Sequence, residues 1–193
     1  MPVKLTTPPA ARPVELDELK AHLRVTSDDQ DLELEAALEA AITEIDGPGL
    51  LGRAMINQGF QQLARPRSGR DLELEITPVQ SLDAVDLILA DGSTVSADLS
   101  GFDLITNGDR YWIRARDGWP SGLADRPDAI AVTYTAGFGP AATDVPATLR
   151  AAVKLLAAHR FEIREEVVIG TITSQIPRGV DHLIKLHRVR SFG

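Results

Sequence analysis

The stretch DVPATLRAAVKLLAAHRFEIREE, residues 144–166, decides how the rest of the chain is read. Asp144 can cap a helix, and Pro146 falls near the first turn, where its missing N–H costs nothing. Leu149, Ala152, Val153 and Leu156 then form one apolar stripe, and Ala151, Leu155 and Ala158 form an adjacent one. A helix with a single packing partner needs an apolar arc of only about 100°, so this helix is either central to a core or shared with a neighbour. The stripes divide the two roles: Leu149, Val153 and Leu156 are expected in the core, and Ala151, Leu155 and Ala158 at a surface shared with another helix or subunit. The helix is expected to end at about Glu166.

Its partners lie at the other end of the chain. After a Pro-rich lead-in (Pro8, Pro9, Pro13), Leu16, Leu19 and Leu23 repeat at three and four residues within Glu15 to Val25, which predicts a short helix. Leu34, Leu38, Ala41, Ile42 and Ile45 form one face of a second helix, stopped by Gly47-Pro48-Gly49. Between these helices and the third, the texture changes. Alternation in Leu72, Leu74 and Ile76, and in Ile130, Val132 and Tyr134, predicts strands. Turn pairs at Asp91-Gly92, Asn107-Gly108, Asp117-Gly118 and Ser121-Gly122 suit an antiparallel meander or sandwich, not alternating β and α elements. Gly170 to Pro177 reads as a linker, and Val180 to Arg190 as a last short helix with Val180, Leu183, Ile184 and His187 on one side.

The predicted class is therefore α+β: a helical core of two N-terminal helices, a long third helix and a short C-terminal one, with a central antiparallel β-sandwich-like insert. The boundaries drawn are 1–53 for the N-terminal part of the core, 54–136 for the insert, 137–169 for the third helix and 170–193 for a C-terminal tail.

Composition narrows the function. The 193 residues include no cysteine, which excludes disulfides, thiol nucleophiles and Cys-ligated metals. The beginning of the chain lacks the apolar run of a secretory signal, and no stretch reaches the 18 apolar residues of a membrane span, so an unsecreted protein without a membrane partner is expected. A net charge of −8 argues against a protein whose task is to neutralise phosphates. The charge is also divided: residues 1–46 carry net −7, residues 47–149 net −5 and residues 150–193 net +4. Complementary blocks of this kind can fix the register between subunits; solvated helix faces are the plainer reading.

Chemical motifs fail in turn. The acidic run Asp28, Asp29, Asp31, Glu33 and Glu35 lacks the Gly of a calcium loop and suits the positive end of a helix instead. His159 and Glu162 lie three apart, but position 163 is Ile where a metalloprotease helix needs His. His22, His182 and His187 are scattered. Gly137-Phe138-Gly139-Pro140 has no third Gly and no following Lys, so a strand-to-helix turn is expected rather than a phosphate loop. No G-x-S-x-G elbow occurs. No catalytic, cofactor or metal residue is assigned, although paired carboxylates on a folded surface leave a hydrolase open as an alternative, as composition leaves a plain protein-binding module.

Order and local motifs together carry a resemblance to one family. The resemblance is carried by Leu19-Lys20-Ala21-His22-Leu23-Arg24-Val25 before the acidic turn, by Thr77-Pro78-Val79-Gln80-Ser81, and by Val132-Thr133-Tyr134-Thr135-Ala136-Gly137-Phe138-Gly139. Ala158-His159-Arg160-Phe161-Glu162-Ile163-Arg164-Glu165 and Pro177-Arg178-Gly179-Val180-Asp181-His182-Leu183-Ile184 complete it. Together and in order these stretches resemble the head–tail connector (adaptor) proteins of long-tailed bacteriophages and of phage-like gene transfer agents, over nearly the whole chain. The chain departs from the family pattern at Gly47 to Arg53 and at Phe161 to Arg164.

The resemblance implies a non-enzymatic virion protein assembled in the bacterial cytoplasm and resident in the neck of a phage or phage-like particle. There it would form a ring, twelvefold to match the portal, joining the DNA-filled head to the tail. Its implied partners are further copies of itself, the portal, a stopper or other tail-completion protein, and DNA passing through without sequence-specific binding. The basic C-terminal tail is then the expected portal-docking element, through Arg178, Val180, Leu183, Ile184, Lys185, Arg188, Arg190 and Phe192, and is expected to gain order only on docking.

Overall fold

The structure is a computed structural model that describes residues 3–65, 69, 71–163 and 176–188. The chain forms two compact units, one from residues 1–10 and 57–138 and the other from residues 11–56 and 139–193.

Among the described residues the first unit holds eight strands: β1 (Val3–Thr7), β2 (Gln58–Ala64), β3 (Asp71–Leu74), β4 (Val79–Ile88), β5 (Thr94–Ser96), β6 (Phe102–Asn107), β7 (Arg110–Ala115) and β8 (Ile130–Ala136). They form a five-stranded sheet in the order β1-β2-β8-β4-β5 and a three-stranded sheet in the order β3-β7-β6. Every pairing between them is antiparallel. The alternation that predicted β8 is obeyed: Ile130, Val132, Tyr134 and Ala136 are all buried while the residues between them are less so. Gly108 takes φ 62° in the hairpin between β6 and β7, a left-handed conformation that Asn-Gly turns exist to supply.

Strand β1 was not anticipated, because the lead-in was assigned to the helical part. It pairs with β2, with Leu5 opposite Phe60. As an edge strand it has no fully buried face, so its sequence carries no alternation to read. The chain thus begins in the sheet unit, leaves to form two helices, returns for seven strands and leaves again.

The second unit contains α1 (Leu16–Leu23), α2 (Asp31–Ile45), α3 (Ala147–Glu162) and α4 (Arg178–Lys185). Helix α3 is its hub and contacts each of the other three. Leu149, Val153 and Leu156 are buried as expected, as are Leu34, Leu38, Ala41 and Ile45 of α2. Polar ties fix the arrangement. Arg150 donates to the Pro13 carbonyl at 3.0 Å and to Glu18 of α1 at 2.7 and 2.5 Å, and Arg160 pairs with Glu44 of α2. The turn into α3 follows the expected reading of Gly137 to Pro140: β8 ends at Ala136, and the Asp144 carboxylate accepts the Ala141 N–H at 2.9 Å. A Cβ on Gly139 would meet that carboxylate at 2.4 Å, so glycine is required by close approach.

The C-terminal helix corrects an expectation. Val180 and Ile184, assigned to a docking stripe, are 0% and 2% exposed within this unit, and Leu183 is half-buried. The stripe that was to wait for a partner is satisfied by α3 of the same chain. Backbone carbonyls and side chains reinforce it: Arg53 donates to the His187 carbonyl at 3.0 Å, Arg188 to the Leu50 carbonyl at 2.9 Å, and Thr148 Oγ1 lies 2.5 Å from His187 Nε2. Residues 164–166, the linker residues 170–175, and Arg190 and Phe192 lie outside the described residues.

Candidate functional site

With no catalytic motif to assemble, the site is sought where sequence placed unlike surfaces: the outer stripe of α3, the acidic run and the basic C-terminal helix. Leu155 is 39% exposed, and Ala151 and Ala158 are half-buried. The second stripe of α3 therefore divides, with Leu155 facing outward and the two alanines partly covered.

Leu155 and Ala158 line a groove of about 460 Å³ bounded by the end of α1, the last turns of α3 and the start of α4. His22, Arg24, His159 and Glu162 also line it. Helix geometry explains the composition: residues 155, 158, 159 and 162 are spaced by three and four and share one face. The backbone at Arg24 contributes as well. It lies in the left-handed region (φ 58°, ψ 32°), and its N–H closes α1 on the Ala21 and Lys20 carbonyls. That position usually belongs to Gly.

His159 and Glu162, considered as a metal or acid–base pair, share the groove without a hydrogen bond between them among the described residues. Among the described residues no group of three or more His, Asp or Glu side chains is placed to hold a metal ion. The acidic run behaves as a clasp more than as a cap. Lys20 of α1 binds Asp28 at 2.6 Å and Asp31 at 2.7 Å, which holds the Asp28 carboxyl below its ordinary value through hydrogen bonding and charge. Asp31 and Glu33 occupy the first turn of α2, where the helix dipole favours them, but Gln30 is the capping residue. Leu32 projects from the middle of this run with 88% of its surface exposed.

Of the basic residues assigned to docking, Arg178, Lys185 and Arg188 are exposed. Lys185 is paired with Asp181 one turn earlier at 2.6 Å, and Arg188 is held by the Leu50 carbonyl. Sequence reading missed the groove itself, because its walls come from three separated segments and only α3 showed a surplus of apolar residues.

Three solved structures are similar over the whole chain. One is a chain of the neck of an empty gene transfer agent particle, computed with sixfold symmetry; it is 30% identical, the match covers 100% of this chain and 98% of that one, and the two superpose with a TM-score of 0.77. A chain of the virion of a native gene transfer agent particle gives 30% identity, the same coverage and a TM-score of 0.78. This chain belongs to the head–tail connector family of gene transfer agents. A third structure, the neck of a native gene transfer agent particle computed with twelvefold symmetry, is 26% identical with a TM-score of 0.67. No protein-family model and no curated protein sequence matches the chain. The likeness covers both units.

Proposed function

We propose that this protein is a structural connector of a phage-like particle, located in the neck, where copies close into a twelvefold ring between head and tail. The observation that carries the reading is full-length similarity to chains of gene transfer agent necks solved with sixfold and twelvefold symmetry. Unlike surfaces on one subunit, joined head to tail by a rotation that closes, generate such a ring. A division of charge into an acidic N-terminal block and a basic C-terminal one supports contacts of that type.

In this reading the protein is not an enzyme. DNA passes through the ring without sequence-specific contact, and a net charge of −8 suits a conduit because a phosphate-binding wall would retain the DNA. The portal is contacted by the exposed basic side of α4, through Arg178, Lys185 and Arg188, continued by Arg190 and Phe192. Val180 and Ile184 serve the fold instead. A stopper or other tail-completion protein binds the opposite side of the ring.

Deletion of the gene in the producing bacterium tests this. Filled heads and free tails that fail to join, restored by the gene supplied in trans, are expected; normally tailed particles in its absence contradict the reading.

A further inference from the structure

Resting on the portal contact proposed above, we infer that Arg188 is its preset anchor: the loop of residues 47–53 holds this guanidinium in place without neutralising it, ready for a carboxylate on the portal. The surroundings of the three basic side chains assigned to that contact set them apart. Lys185 has its charge answered by Asp181 at 2.6 Å. Arg178 has no side-chain partner among the described residues, so nothing there orders it. Arg188 differs from both: its Nε donates to the Leu50 carbonyl at 2.9 Å, and it has no ion pair among the described residues. A carbonyl carries no net charge, so the side chain is held while its full positive charge remains. Holding it beforehand removes part of the ordering cost of binding. The two terminal nitrogens of a guanidinium match the two oxygens of a carboxylate.

The loop is built to hold still. It folds back on the last turn of α2, with the Leu50 N–H on the Glu44 carbonyl at 2.9 Å and the Leu51 N–H on the Ile45 carbonyl at 3.0 Å. It closes on itself where the Gly47 N–H meets the Arg53 carbonyl at 2.9 Å, and Leu51 is buried beneath it. The same loop grips the preceding residue of the tail: Arg53, a buried side chain, donates to the His187 carbonyl at 3.0 Å. Thr148, in the first turn of α3, meets the His187 ring from another side at 2.5 Å. Residues 187 and 188 are thus held by contacts from two segments that the rest of the helical unit already fixes. Arg53 is a positioning residue in this arrangement, because it sets the backbone from which Arg188 projects. A protein carboxylate is favoured over a DNA phosphate because a chain of net charge −8 is repelled by DNA as a whole.

The test measures binding of the full chain to portal-bearing heads purified from cells that lack its gene. Arg188→Ala should weaken binding about tenfold or more, the range for a hydrogen bond to a charged group. Arg188→Lys should weaken it nearly as much, because one ammonium cannot hold the Leu50 carbonyl and offer a paired donor to a carboxylate. Arg53→Lys, which keeps a cation but not the fork, should weaken binding of the parent chain and add little to the loss in Arg188→Ala. Full binding by Arg188→Lys would show that charge alone suffices and overturn the anchor. Equal losses from Arg53→Lys with and without the Arg188 side chain would show that Arg53 serves only the fold, and overturn its positioning role. Binding that nuclease treatment of the heads abolishes would identify DNA as the partner and overturn the carboxylate. A parent chain that does not bind the heads at all instead overturns the connector reading on which the anchor rests.

Discussion

Tyr134 lies on β8, the middle strand of the five-stranded sheet, and its hydroxyl ties that strand to the segment between β3 and β4. The ring packs against Phe60 with centroids 6.0 Å apart, and the oxygen accepts the Ile76 N–H at 3.2 Å. Gln62 completes the link by donating to the Glu73 carbonyl at 2.7 Å and accepting the Glu75 N–H at 2.9 Å. Tyr134→Phe leaves the Ile76 N–H without its acceptor, an expected loss of about 1–3 kcal/mol in chemical denaturation. Burial pushes the phenol up from 10.0 to about 12, opposed in part by the hydrogen bond from Ile76. The folded pKa is raised, so the stability tied to the protonated form is complete below pH 10 and is lost between 10 and about 12. Stability followed through that window should fall more steeply for the parent than for Tyr134→Phe; parallel curves would contradict the assignment. Gly139→Ala forces a methyl group onto the Asp144 side chain, Cβ included, and should cost about 1–3 kcal/mol, an effect that Asp144→Gly in the same chain, which removes that Cβ, should shrink. The buried tyrosine was legible as one step of an alternating strand. Its hydroxyl partner was not, since Ile76 lies 58 residues away and no periodicity links them.

At the scale of elements, α4 makes the sharpest prediction. Its buried stripe rests on α3, so Ile184→Ala should lower stability by about 2–5 kcal/mol, whereas Lys185→Ala, which breaks only an exposed pair, should change it by less than about 1 kcal/mol. Equal effects would mean that α4 is loosely attached. Removal of residues 176–193 should also destabilise the helical unit, because the α3 face beneath Val180 and Ile184 loses its cover. Helices α1 to α3 were legible because their apolar spacing is imposed by burial on one side. The same logic misled at α4: a Val180, Leu183, Ile184 stripe signals burial, but sequence alone does not say whether the covering surface belongs to the same chain. Strand β1 was hidden for the opposite reason, since an edge strand with exposed faces imposes no pattern. The groove was only half legible. The surplus of apolar residues on α3 pointed to Leu155 and Ala158, while His22 and Arg24 reach it through a fold that their own segment does not encode.

For the molecule as a whole, three features bear on the proposed ring: full-length likeness to neck proteins, two compact units and a charge gradient along the chain. None of these needs a reaction centre. The charge gradient suits the proposed ring, whose subunits would present two different faces, reject wrong partners by like charge and tolerate DNA passing nearby. Charge contacts between copies are screened by salt, so assembly of the proposed ring should weaken as ionic strength rises; sedimentation of isolated neck complexes across a salt series measures this. The most direct test is an electron-microscopy reconstruction of necks from native particles with no symmetry imposed. The expected result is a single closed ring of twelve copies of this chain between the filled head and the tail, with α4 turned toward the head. Density for the chain elsewhere in the particle, or an open or unpaired arrangement of its copies, would contradict it.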